Sequence, residues 1–431
     1  MLIKTDKLDI ATKIIGFKMT ELGPLPEDWE VVRLGEVAQI IMGQSPPGDT
    51  YNEIGEGIPF LQGKAEFTDI FPIPKKYTTK PIKVAPKGSI LISVRAPVGD
   101  VNLVDREYCI GRGLAAICVT NKANKKFVFW GLKYLKPLLE KEGSGSTFKS
   151  INKEKLINFL IPLPPLPEQK AIARVLKAIQ DAIEATERVI AAAKELKKSL
   201  MRHLFTYGPV PVSERDRVRL KETEIGPIPE DWEVVRLGEI CDVKGGKRLP
   251  KGHSFSEIPT KFPYIRVVDF MNWTVDTKNL KYLTEEDAKL LQRYRIFSED
   301  VFISIAGTVG LVGMIPKELN GAYLTENAAR IIIKDFNILE PNFLVAFLAS
   351  ARGQYEIDQR TTKTSQPKLA LTRIREIPIP LPPLPIQQKI AQILKAVDDK
   401  IEAEEKKKEA LQALFKTLLH HLMTGKIRVK Y

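Results

Sequence analysis

Two α+β globules joined by two long helices in a pseudo-two-fold internal repeat: this is the fold class the 431-residue sequence predicts. Three observations predict it. TELGPLPEDWEVVRLGEV begins at Thr20 and returns as TEIGPIPEDWEVVRLGEI at Thr223. The copies differ only at Leu22/Ile225, Leu25/Ile228 and Val37/Ile240, swaps among branched aliphatics that nearly conserve volume. A second phrase, IPLPPLPEQKAIARVLKAIQDAIEA from Ile161, returns as IPLPPLPIQQKIAQILKAVDDKIEA from Ile379. Between these landmarks lie short β-branched runs bounded by Gly and Pro, which read as strands. Two copies are too few for a solenoid, which needs about three stacked units.

In chain order the sequence divides into an N-terminal segment (1–19), a globule (20–160), a helix (161–206), a linker (207–222), a second globule (223–377), a second helix (378–425) and a tail (426–431). PEDWEVVRLGE reads as an acidic turn leading into a strand, with Trp29 and Trp232 anchoring the start of each core. In the first globule KGSILISVRAPVGDVNLV and RGLAAICVT supply strands, and KKFVFWGLKYLKPLLEKE supplies helix. EDVFISIAGTVGLVGMI, ARIIIK and EPNFLVAFLASARGQYEI do the same in the second. The proline runs at 162–167 and 380–385 cannot sit inside a helix and favour stiff extended connectors. Pro167 and Pro385 suit the first helical turn. Glu168 complements the positive end of the first helix dipole; Ile386 stands at its place in the second copy.

Apolar residues then recur at alternating spacings of four and three. Ile172, Leu176, Ile179 and Ile183 begin the seam of the first helix, and Ile390, Leu394, Val397 and Ile401 that of the second. This is a coiled-coil signature, interrupted by Thr186, Lys197, Glu404 and Lys408. From Pro167 to Thr206 the helix spans roughly 60 Å, too long to fold back on its own globule. Its simplest partner is the other helix, running antiparallel; a homo-oligomeric coiled coil is the alternative.

Composition sets the bounds: 44% hydrophobic, 28% charged and net charge +13. The excess of Lys and Arg permits nucleic acid as a partner, yet no segment is a basic block. No apolar run approaches the roughly 18 residues of a membrane span, and the N-terminus lacks a signal-peptide pattern. Three scattered cysteines, Cys109, Cys118 and Cys241, indicate a reducing, cytoplasmic setting without a disulfide framework. The histidines His203, His253, His420 and His421 form no zinc-ligand spacing. GGKR at 245–248 lacks the rest of a phosphate-binding loop, and neither a G-x-S-x-G elbow nor an H-E-x-x-H motif occurs. The sequence points away from catalysis by this chain, with no metal site.

Recognition loops remain. GQSPP (43–47) and KGGKRLPKG (244–252) follow the repeated opening at matching places, and SGSTFKSINKEKL (144–156) matches TKTSQPKLALTRI (362–374) near each globule's end. Loops on a rigid scaffold carry binding residues. Arg and Lys pair with guanine and Gln or Asn with adenine, while Ser, Thr and Lys suit phosphates. The candidate DNA contacts are Gln44, Ser45, Lys64, Arg95, Arg112, Thr147 and Lys149 in the first half. In the second they are Lys244, Lys247, Arg248, Arg266, Thr308, Lys363, Ser365, Gln366 and Lys368.

Taken together, the paired LGPLPEDWEVVRLGE and IGPIPEDWEVVRLGE, the paired IPLPPLP-plus-helix, the loops GQSPP and GKRLPKG, and SVRAPVG (93–99) with SIAGTVG (304–310) resemble the specificity subunit of type I restriction–modification systems. The resemblance spans nearly the whole chain and departs at Ile386, where the motif expects Glu. It implies two target-recognition domains, each reading one half of a split site in double-stranded DNA, with the helices as spacer. It implies two methyltransferase subunits carrying S-adenosylmethionine, and restriction subunits using ATP and Mg; this chain itself would bind no cofactor and be non-catalytic. The helix faces bearing Lys170, Arg174 and Lys177, and Lys389, Lys395 and Lys400, would dock partners or be plain solvated faces. Two other readings stay open at this point: a stand-alone two-headed DNA regulator, and a coiled-coil scaffold whose globules bind peptides.

Overall fold

A computed structural model describes residues 16–143 and 150–430. The chain falls into two compact units, Met1–Glu187 with Lys406–Tyr431 and Arg188–Glu405.

In the first unit the two repeated phrases pair with each other. Strand β1 (Glu30–Arg33) forms an antiparallel ladder with the strand Leu160–Leu163, Val32 opposite Ile161 and Val31 opposite Pro162. The first proline of the run, Pro162, is therefore a strand residue. A two-stranded ladder tolerates it because an edge strand leaves amides unpaired anyway. Between these strands come β2 (Ala38–Met42), β3 (Ile58–Leu61), β4 (Lys76–Thr78), β5 (Val84–Ala85), β6 (Ile90–Ser93), β7 (Val101–Leu103), β8 (Tyr108–Ile110), β9 (Leu114–Val119) and helix α1 (Lys125–Tyr134). We number Leu160–Leu163 β10 and the long helix Leu166–Tyr207 α2.

One sheet is antiparallel, in the order β7-β6-β9-β2. The other runs β4-β3-β8-β5, with β3 and β8 parallel, and carries Tyr51–Asn52 beyond β4. Alternation along β6 and β9 explains the layering. Ile90, Ile92, Ala115 and Ile117 face a core with Phe127, Val128 and Leu132 of α1. Leu91, Leu114 and Ala116 face a second core with Leu61, Tyr108 and Ile110 of the other sheet. Both faces of the central sheet are covered, so Ile90, Leu91 and Ile92 are apolar without alternation.

The second unit repeats this plan. β11 (Glu233–Arg236) is followed by β12 (Cys241–Gly245), β13 (Pro263–Ile265), β14 (Phe270–Met271), β15 (Thr274–Val275), β16 (Lys281–Tyr282), β17 (Arg295–Ile296), β18 (Val301–Ser304), β19 (Val312–Met314), β20 (Ala322–Leu324) and β21 (Ala328–Ile333). Helix α3 (Pro341–Ala349), strand β22 (Pro378–Leu381) and helix α4 (Leu384–Met423) complete it. β22 pairs with β11, Ile379 opposite Val235, in the same register as its counterpart. The sheets run β12-β21-β18-β19 and β16-β13-β20-β17, with β13 and β20 parallel. Apart from Tyr51–Asn52, these are strand for strand the sheets of the first unit, although the intervening sequences share little. The β14–β15 hairpin has no counterpart among the described strands of the first unit.

The helix seams correct one expectation. Ile172 and Leu176 belong to the core of the first globule, together with Leu422 and Met423. Ile390 and Leu394 belong to that of the second, with Met201, Leu204 and Phe205. The opening turns of each helix therefore do pack on a globule, because β10 or β22 delivers the chain directly against it. Ile183 and Ile401 are buried, and Ile179 and Val397 half-buried. Within the second unit Lys194 pairs with Glu405 and Lys197 with Asp398, so the helix segments there run antiparallel. Lys408 meets Glu187 within the first.

Candidate nucleic-acid interface

In each unit the loops at one end of the paired sheets are drawn together by backbone hydrogen bonds. In the first, Gly43 N–H donates to Leu114 O and Gln44 N–H to Ile110 O, both at 2.9 Å. A Cβ on Gly43 would lie 2.1 Å from Gly111 O, so this approach of GQSPP to GRG requires glycine. Gly111 N–H donates to Leu61 O and Val94 N–H to Gly113 O. Arg95 pairs with Ser150, and Ile151 N–H donates to Val94 O. The Ser45 hydroxyl accepts from Arg112 N–H at 3.4 Å and from the Gln62 amide at 3.5 Å. Gln44, Gln62, Arg95 and Arg112 thus converge with exposed side chains around Ser45.

The second unit builds the same cluster with other residues. Gly246 N–H donates to Ala328 O, Lys247 N–H to Leu324 O, Thr325 N–H to Ile265 O and Ile305 N–H to Asn327 O. Gly246 makes the same close approach, its Cβ position 2.1 Å from Thr325 O. Ala306 pairs with Lys368, and Leu369 N–H donates to Ile305 O. Backbone equivalence then matches Gln44 with Lys247, Ser45 with Arg248, Gln62 with Arg266, Arg112 with Glu326 and Arg95 with Ala306. The frame is one; the functional groups on it are two sets.

Several candidates prove to be committed elsewhere. Lys64 pairs with Asp100 at 2.8 Å, alongside Lys136 at 2.5 Å. Burial pushes the Asp100 carboxyl up, but the hydrogen bonds and charge of Lys136 and Lys64 outweigh it and hold the group below its ordinary range. Arg266 spends two guanidinium donors on Asp269 and another on Asn279 O, so it braces its segment instead of presenting a free fork. Arg248 meets Glu326 at 2.9 Å yet remains largely exposed. Lys244 lies within β12, opposite Arg330, and not in the loop. Thr308, Lys363, Ser365 and Gln366 are exposed, the last three on a loop whose base is tied by Thr362 to Lys368. Thr147 and Lys149 lie outside the described residues.

Reading loops one at a time missed Gln62, Glu326 and Asn327. The signal was present: IPFLQGK and FPYIRVV align as the same strand, placing Gln62 opposite Arg266 as variable positions on a shared scaffold.

The model of the type I restriction modification DNA specificity domain matches residues 26–195 and again 229–413. The chain belongs to this family. It is 30% identical over 411 residues to the type I restriction enzyme MjaVIII specificity subunit of Methanocaldococcus jannaschii, covering 94% of each chain. Over 198 residues it is 54% identical to the MjaX specificity subunit of the same organism, a match spanning 44% of this chain and 46% of that one. The EcoBI specificity subunit of Escherichia coli is 22% identical over 396 residues, covering 88% of this chain and 81% of that one. The crystal structure of a type I restriction–modification S subunit from M. genitalium superposes with a TM-score of 0.61 at 19% identity, covering 91% of this chain and 96% of that one. At that identity the likeness is one of fold. Among the described residues no helix is long and apolar enough to cross a membrane.

Proposed function

We propose that this specificity-family chain reads an asymmetric, bipartite site in double-stranded DNA, one half-site per unit, and itself performs no chemistry. The observation that carries this reading is the pair of matched loop clusters. Gln44, Gln62, Arg95 and Arg112 on one frame are matched, position for position, by Lys247, Arg266, Ala306 and Glu326 on the other, with Arg248 at the place of Ser45. Glutamine suits adenine, arginine and lysine suit guanine, and glutamate accepts from cytosine. Two identical readers would select a palindrome; two different ones on one frame select a split site with unlike halves. The long helices act as spacer, and their outer faces dock two methyltransferase subunits. Those subunits supply S-adenosylmethionine, and restriction subunits supply ATP- and Mg-dependent cleavage, in the cytoplasm.

The test is co-purification with an adenine methyltransferase subunit from the same source, followed by mapping of N6-methyladenine on DNA. Methylation confined to one split, asymmetric motif is the expected result. A complex that forms but methylates without a shared motif would overturn the reading function, and methylation at a palindrome would overturn the two-reader assignment.

A further inference from the structure

The β14–β15 hairpin carries a backbone feature that its sequence does not favour. Phe270 pairs with Val275 and Met271 with Thr274, leaving Asn272 and Trp273 as a two-residue turn. Both have positive φ, 48° and 65°. Such a turn suits Asn-Gly; a tryptophan in the left-handed region is a genuine outlier, and strain of this kind persists only where the surroundings enforce it.

Here the surroundings do. Trp273 O accepts from Met314 N–H of β19 at 2.9 Å. The Lys197 ammonium of α2 stands 3.1 Å from the centre of the indole ring and pairs with Asp398 of α4 at 2.6 Å. Lys197 is one of the residues that interrupt the apolar seam, and the hairpin explains why it is there. A cavity of about 180 Å³ lies beneath, lined by Trp273, Met314, Ala346 and Leu394 among others. Ala346 occupies the place in α3 that Trp130 occupies in α1, so Trp273 covers from the hairpin the space a helix residue fills in the first unit.

The other end of the same segment leads to the reading cluster. Arg266 binds Asp269 and Asn279 O, and Asp276 N–H donates to Asp269 O. Residues 266–279 are thereby braced as one piece. Arg266, Val267 and the exposed Val268 line a groove with Arg248, Lys251 and Glu326. We propose that Lys197, held by Asp398 and seated on Trp273, is a positioning residue that fixes this groove wall and so sets base discrimination at the second half-site. The proposal rests on the reading function above.

Two readouts on the full chain, alone and with its methyltransferase partner, decide it. In Lys197→Met, amide hydrogen exchange over 266–279 is expected to quicken roughly five- to thirty-fold, the loss of one partly desolvated cation–π contact, while 38–143 is unchanged. Against single base-pair variants of the split site, discrimination is expected to fall at second half-site positions only. Lys197→Arg restores both, and Trp273→Gly, which relieves the backbone but removes the ring, reproduces the Met pattern. Unchanged exchange over 266–279 overturns the clasp whatever the DNA result. Faster exchange with discrimination either intact or lost equally in both halves overturns the positioning role. A wild-type complex with no split site refutes the reading function instead, and the exchange result still judges the clasp.

Discussion

Trp29 and Trp232 occupy the same place in the two repeats and are almost equally buried, yet they are locked in by different chemistry. In the first unit the Trp29 indole donates to Glu168 at 3.2 Å, and Glu168 is fully buried. Arg428 donates to both Glu168 oxygens, at 2.5 and 2.7 Å, and to both Asp28 oxygens, at 3.0 and 2.8 Å. Burial would lower the Arg428 pKa, but the hydrogen bonds it donates to Asp28 and Glu168, with their charge, reverse this and raise it. Gly425, at φ +66° and with its Cβ position 2.2 Å from Pro26 Cγ, lets the tail turn in to deliver this arginine. In the second unit Ile386 replaces Glu168. The arginine there is Arg352, from inside the second globule, donating to Phe205 O, Pro227 O and Thr206 Oγ1. The difference teaches that the duplicated frame tolerates exchange of a carboxylate–arginine lock for an arginine held by neutral oxygens beside an apolar residue, provided each remaining polar group is matched. The adjoining core shows the same compensation: Gly131 lies by Met423 where Phe347 meets Phe205.

The comparison breaks most readily at Arg428. Arg428→Ala leaves Glu168 buried and uncompensated, a change that costs about 3–5 kcal/mol. Faster amide exchange in residues 16–143, with 223–377 unchanged, is the expected signature. Glu168→Ile combined with Arg428→Met puts the second unit's isoleucine at this place and leaves no buried charge, and should recover most of that loss. A double variant as unstable as the single would mean that the lock is more than an exchangeable closure.

Much of this was legible beforehand. The repeats gave the pairing of like frames, and the four-three spacing gave helices whose seams are buried. Three things stayed hidden for physical reasons. β10 and β22 read as connectors because proline cannot donate to a ladder, yet an edge ladder does not ask it to. The parallel pairs β3–β8 and β13–β20 join strands that are short and distant in sequence, so no local pattern announces them. Arg428 bonds across 260 residues to Glu168, and a lone arginine in a short tail carries no periodicity. The candidate site was half legible. Loop positions can be matched, but the sequence offers Lys64 and Arg266 as DNA contacts because nothing in it pairs them with Asp100 and Asp269, which only the fold brings to them.

A smaller effect sharpens the comparison of the two reading clusters. Arg112→Ala is expected to relax one base pair of the first half-site by about 1–3 kcal/mol without touching the second. Glu326→Ala, at the matching place, is expected to relax one pair of the second half-site only. Binding to a panel of single-substitution DNA duplexes at fixed salt checks both. If Arg112→Ala weakens every sequence alike, Arg112 contacts phosphate rather than a base edge; if Glu326→Ala does, Glu326 acts by holding Arg248 and not on a base.

The smallest expected effect tests whether Lys64, paired with Asp100, takes part in reading at all. Its partner Asp100 titrates below the ordinary carboxylate value of 3.8 in the folded chain. A depressed carboxyl contributes stability that is present above the unfolded pKa and is lost as pH falls through the folded one. Asp100→Asn is therefore expected to lower stability slightly at neutral pH, with the gap to wild type closing in the acid range below about pH 4. Urea unfolding followed across that range reads the gap directly. The pair is partly exposed, so salt should shrink the neutral-pH gap as well. DNA discrimination at both half-sites is expected to survive the change, because Lys64 is not one of the side chains gathered around Ser45. If Asp100→Asn instead tightened DNA binding, the freed Lys64 would have joined the cluster around Ser45, and the carboxylate would be what keeps it out.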